Sequence, residues 1–251
     1  YRIEVKIDGL KDTTLLLGYH FGDKKFVSDT ARIDSNGVAI FEGDSLLKAG
    51  IYLVILPDKT YFEILLSNNQ RFGVQTTAKN MVENLKFTGS RENEEFIHFQ
   101  QFMMGVQAQG NELSAKMKDA LTDSSRSNQL RREMKELDEK VQAYWLEVEN
   151  NNKGTFLASL IKAMSSVAVP EFTIPASPPA YDSLKWVHSY NFNRDHYFDN
   201  VDFSDSRLLR TPILENKINI YFDRVLIPHP DSIAVAAVNL VEKSKANGEM
   251  F

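Results

Sequence analysis

The chain has 251 residues, 43% of them hydrophobic and 25% charged, which is the composition of one large or two ordinary folded domains and not of a disordered chain. A net charge of −5, from 29 Lys and Arg against 34 Asp and Glu, argues against a nucleic-acid partner, because phosphate binding needs clustered cations. Cysteine is absent, which excludes thiol chemistry, disulfides and cysteine metal sites within the chain, and no apolar run approaches the roughly 18 residues of a membrane span.

The first third has the period of a half-buried strand. Ile3, Val5 and Ile7 alternate with Arg2, Glu4 and Lys6, and the sequence opens in this pattern at Tyr1 with no initiator Met or signal peptide. Thr14 to Tyr19 reads as a more apolar strand, Val27 to Ile33 alternates again, and Asp34-Ser35-Asn36-Gly37 turns the chain into Val38 to Phe41. Further strands are expected at Ile51 to Leu56, Tyr61 to Leu66 and Phe72 to Thr76, with turns at Pro57-Asp58-Lys59 and Ser67-Asn68-Asn69. Short strands at this spacing predict an antiparallel β-sandwich over residues 1–89. Asp34-Ser-Asn-Gly could open a calcium loop, but position 12 would be Ser45 where an EF-hand needs Glu, so the motif reads as a hairpin turn.

From residue 90 the period becomes helical, giving an α+β chain whose α-helical second domain spans 90–251. Ser90 is a helix N-cap followed by Glu92, Glu94 and Glu95, and Phe96, Phe99, Met103 and Val106 share one face, with Gly105 and Gly110 as weak points. A second helix begins after Asp123-Ser124-Ser125. It carries a heptad seam of Leu130, Met134, Leu137, Val141, Tyr144 and Val148, read as packing on the preceding helix ahead of a dimeric coiled coil. Its basic run from Arg126 to Arg132 is interleaved with acids and reads as a solvated surface.

Asn151 to Gly154 stops that helix, and Phe156 to Val167 forms a broadly apolar third one. Pro170, Pro175, Pro178 and Pro179 predict an extended connector, followed by a short helix over Asp182 to Tyr190. Thr211-Pro212 starts a helix with a buried stripe of Leu214, Ile218, Tyr221, Phe222 and Val225, and Asp231 is expected to cap the last helix, to about Lys245. The chain stops at Phe251 just after it, so both ends read as boundaries within a longer protein.

The chain carries no recognisable catalytic motif. The five histidines have no metal-ligand spacing, and neither a Gly-rich phosphate loop nor a Gly-x-Ser-x-Gly elbow occurs, so no cofactor is expected. One segment is dense in chemistry-bearing side chains: Trp186, His188, Tyr190, Asn191, Phe192, Arg194, Asp195, His196, Tyr197 and Phe198. Two readings stand side by side. Trp186, Tyr190, His196 and Tyr197 line a ligand pocket or stack on a sugar ring, or these aromatics are the inward face of a loop.

The stretch HYFDNVDFSDSRLLRTPILENKINIYFDRVL from His196 resembles a helical domain family of unknown function. GLKDTTLLLGYHFGDKKFVSDTARIDSNGVAIFEG, LLKAGIYLVILPDKTYFEILLS and NLKFTGSRENEEF resemble a companion sandwich family. Proteins of this layout in Bacteroides-type bacteria usually continue into a thioredoxin-like or AhpC/TSA-like domain and are secreted to the envelope, often as lipoproteins. The resemblance therefore implies a non-catalytic accessory module of a periplasmic thiol–disulfide oxidoreductase, partnered by a downstream thioredoxin-like domain whose Cys-x-x-Cys lies outside this chain. The rival expectations are a glycan- or peptide-binding module of the envelope and an oligomerising piece.

Overall fold

The structure is a computed structural model that describes residues 1–120, 123–171 and 178–251, with side chains described outside 172–180. The chain forms two compact units. The first comprises Tyr1–Gly18 and Val27–Ala158, the second Tyr19–Phe26 and Ser159–Phe251.

Two four-stranded sheets account for the period-two sequence. The strands are β1 (Arg2–Asp8), β2 (Thr14–Phe21), β3 (Lys24–Arg32), β4 (Val38–Glu42), β5 (Gly50–Ile55), β6 (Tyr61–Leu66), β7 (Arg71–Thr77) and β8 (Lys86–Thr88). Their order is β4-β1-β7-β8 in one sheet and β3-β2-β5-β6 in the other. Register follows the apolar alternation: Ile3 lies opposite Phe41 and Phe72, and Val5 opposite Ala39 and Val74, so one face of the first sheet is continuously buried. The β1–β7 pairing is parallel, which alternation alone does not distinguish from antiparallel. Asp34 closes the predicted hairpin by accepting hydrogen bonds from the backbone N–H of Asn36 (2.8 Å) and Val38 (2.9 Å), with Gly37 at φ 81°. That carboxylate serves its own turn, as the hairpin reading expects.

The first strand-to-helix passage adds two short elements the sequence reading omits, α1 (Met81–Asn84) and β8. Next come α2 (Arg91–Asp119) and α3 (Ser124–Asn151), capped by Ser90 and Asp123. α2 runs unbroken through Gly105 and Gly110. The two helices pack on each other along the predicted seam, with Leu130 and Val148 buried at its ends. Phe102 stacks on Tyr144 at 3.9 Å between centroids, and the Trp145 Nε1–H points at the Met103 sulfur at 3.2 Å.

Asn93 fixes α2 to the sheet. Its Oδ1 accepts from the Leu65 N–H (2.7 Å) and its Nδ2 donates to the Leu65 carbonyl (2.9 Å), so a side-chain amide pairs the open edge of β6 as another strand would. Glu92, expected to act on its own helix dipole, instead accepts from the Leu157 N–H at the start of α4 (Phe156–Met164) and from the Ser67 hydroxyl.

The second unit departs further from expectation. α5 spans Pro178–His196, so Pro178 and Pro179 open a helix instead of extending a connector; the first helical turn tolerates them because its N–H groups lack intrahelical partners. Pro175 lies outside the described residues. The helix also continues past Tyr190, so the aromatic segment is helical and not a loop. A 3₁₀ turn at Ser206–Arg210 precedes α6 (Ile213–Ile220), with Pro212 at the cap position one residue later than predicted. The expected continuation to Val225 is a π-helical turn, Tyr221–Val225, closed by Leu226 N–H to Tyr221 O at 3.0 Å. α7 (Pro230–Ser244) is capped by His229 and not Asp231, because the His229 ring accepts from the Asp231 N–H. The β2–β3 hairpin tip belongs to this unit. Gly22, at φ 60°, donates to the Leu209 carbonyl, and a Cβ there would meet the Glu215 carboxylate at 2.3 Å.

Candidate functional site

A helix brings residues three and four apart onto one face. In α5 the positions 186, 189, 190, 193 and 196 fall in that register, and Trp186, Ser189, Tyr190, Asn193 and His196, with Tyr197 just past the helix end, form one wall of a cleft of about 440 Å³. Phe192 adds to the wall. Ser166 and Val167, just past α4, form a second side. Lys217 of α6 and Arg224 and Val225 of the π turn complete the cleft. A π turn widens the helix by one residue and redirects the side chains that follow, and such turns recur at functional sites.

The aromatic wall is flat and open. Trp186 is 62% exposed and stacks on Tyr190 with ring centroids 5.5 Å apart and planes inclined by only 6°. Tyr190 is fixed from behind, its hydroxyl accepting from the Ile227 N–H at 3.2 Å, so it backs one face of the indole. Tyr197 lies against Tyr221 at 5.2 Å, and burial raises the phenol pKa of both. Tyr221 in turn donates to the Arg194 carbonyl.

The charges are one-sided. Lys217 is only 9% exposed; its Nζ donates to the carbonyls of Ala163 (2.9 Å) and Ser165 (3.0 Å) and lies 5.2 Å from the Tyr197 ring centroid. Burial pushes its ammonium pKa below the ordinary value. Arg224 forms no ion pair among the described residues. Among the described residues no Asp or Glu lines the cleft, although the chain has 34 of them. His196 Nδ1 is 2.6 Å from Asp199 Oδ2, which orients the ring, but no serine hydroxyl is hydrogen-bonded to His196 among the described residues, so the pair has no nucleophile in hand. No cluster of three or more His, Asp or Glu among the described residues could hold a metal ion.

All four sequence candidates, Trp186, Tyr190, His196 and Tyr197, meet in this cleft. Of their neighbours, Arg194 and Asp195 face a separate groove beside α7, where a bidentate ion pair holds the Asp195 carboxyl below its ordinary pKa, and Phe198 is buried. Lys217 and Arg224 escaped the sequence reading. The signal for Lys217 was present: it sits three residues after Leu214 and four before Tyr221, inside the apolar stripe of α6, where a lysine is out of place. Arg224 becomes visible only once the π turn is known.

Family models match both parts of the chain. Residues 1–96 are similar to the domain of unknown function DUF4369, and residues 115–251 to the domain of unknown function DUF5106. No curated protein and no solved structure matches the chain.

Proposed function

The chain belongs to the family of the domain of unknown function DUF5106, and we propose that it is a non-catalytic binding module whose second unit holds a saccharide in the α5 cleft. One observation carries this reading. The Trp186 indole is braced on one face by a parallel Tyr190 ring and lies open at the cleft wall. The C–H face of a pyranose is weakly electropositive and apolar, and it complements the electron-rich face of a fixed aromatic ring. Ser166, Ser189 and Asn193 supply hydroxyl and amide groups for sugar hydroxyls around that wall.

The stretches resembling envelope thioredoxin-like proteins add a setting: an accessory role in the periplasm, beside a redox domain carried elsewhere in the parent protein. The intact mass of the native protein from its source cells tests that setting. A mature chain with a Cys-x-x-Cys domain after Phe251 supports it, and a native chain ending near Phe251 contradicts it.

The binding reading is tested by titrating the chain with a panel of neutral and charged oligosaccharides. At least one member should bind, and Trp186→Ala should weaken that binding several-fold or more, since a well-packed aromatic contact is worth about 0.5–1.5 kcal/mol beyond the area it buries. The melting temperature should stay unchanged, because the indole is mostly exposed. Silence across the panel, or full binding by the variant, would contradict the proposal.

A further inference from the structure

We infer that the saccharide taken by this cleft is acidic: the Lys217 ammonium in the cleft, with Arg224 beside it, receives a carboxylate or phosphate borne by the sugar. The inference rests on the saccharide reading of the cleft and names the substituent it recognises.

A buried cation is ordinarily paired, because removing it from water without a counter-charge costs several kcal/mol. Lys217 has two of its three N–H groups on the carbonyls of Ala163 and Ser165 and none on a carboxylate. No ion pair to Lys217 occurs among the described residues, and the undescribed stretch 172–177 contains neither Asp nor Glu. Holding the carbonyls at the end of α4 explains why a lysine fits here. It does not explain why a second unpaired cation, Arg224, lines the same cleft, or why a chain this acidic puts no carboxylate on its described walls. His196, the remaining titratable base of the cleft, already has Asp199 as partner. The third N–H of Lys217 and the guanidinium of Arg224 are thus donors waiting on an acceptor, and a charged acceptor gives the stronger bond. Trp186 and Tyr190 would carry the ring while these cations take its anionic substituent.

The experiment compares three series on the full 251-residue chain: neutral oligosaccharides, the same sugars oxidised to uronates, and their phosphate esters. Calorimetric affinities are measured for the native protein, Arg224→Gln and Lys217→Met. An acidic series should bind at least tenfold more tightly than its neutral parent, with an advantage that shrinks as salt is added. Arg224→Gln should lose several-fold of that advantage and Lys217→Met all of it. Whichever acidic series wins identifies the substituent as carboxylate or phosphate. Lys217→Met can lower stability through the lost carbonyl bonds, but Arg224 is exposed and hydrogen-bonds nothing described, so its variant reports on the ligand alone. Neutral and acidic sugars binding equally would overturn the inference and leave the saccharide reading standing. An absence of binding by every series would remove both.

Discussion

Lys217 is a buried cation in the wall of the α5 cleft. Burial favours its neutral form, so its folded pKa lies below the ordinary 10.5. The unfolded chain therefore binds more protons than the folded one between those two values, and stability contributed at this site rises as pH climbs through that window. The groups facing it, His196, Tyr197 and Arg224, include no carboxylate to reverse the sign. Tyr197 and Tyr221, whose phenols are raised by burial, act in the opposite sense above the ordinary tyrosine value of 10.0. The informative quantity is thus the difference between native protein and Lys217→Met in denaturant unfolding across alkaline pH. That difference should shift in favour of the native protein as pH rises, and a flat difference would contradict the burial argument. Asn93 makes a second residue-scale case. It is 1% exposed and satisfies both backbone groups of Leu65, so Asn93→Leu strands a buried donor and acceptor. Unfolding should become easier by about 2–4 kcal/mol, and a loss under 1 kcal/mol would mean that the β6 edge is satisfied another way.

Helices α2 and α3 show how propensity and packing divide the work. Gly105 and Gly110 interrupt nothing because the helix is held by its partner, and no atom lies within 4 Å of where either Cβ would stand. Gly105→Ala and Gly110→Ala should each stabilise the protein by about 0.5–1 kcal/mol; a destabilising result would mean that the glycines face something the helix pair does not show. A double-mutant cycle on Phe102 and Tyr144 should return a coupling of about 0.5–1.5 kcal/mol from their stacking. Element identity was largely legible from the residues. Ile3, Val5 and Ile7 disclose their strand, and Ser90, Asp123 and Gly154 punctuate the helices as side-chain chemistry requires. What escaped was set by tertiary context. The parallel β1–β7 pairing leaves no mark on alternation, Pro178-Pro179 read as connector although they open the first turn of α5, and the π turn at Tyr221–Val225 has no sequence period of its own. Trp186, Tyr190, His196 and Tyr197 were legible as a cluster, but their common helical face required α5 to continue past Tyr190.

Across the whole molecule, acidic composition and local charge point in different directions. The chain carries a net −5, yet the α5 cleft is lined by Lys217, Arg224 and His196 with no acid among its described walls. No helix among the described residues is long and apolar enough to cross a membrane. The two tryptophans of the chain separate the claim cleanly: Trp145 sits in the first unit, bound to the Met103 sulfur, and Trp186 stands at the cleft. Their indole N–H resonances, assigned by substituting each in turn, should be followed while an acidic oligosaccharide is titrated into the ¹⁵N-labelled protein. The Trp186 signal should move and saturate while that of Trp145 stays fixed; a fixed Trp186 signal, or movement confined to Trp145, would contradict a saccharide site in the α5 cleft.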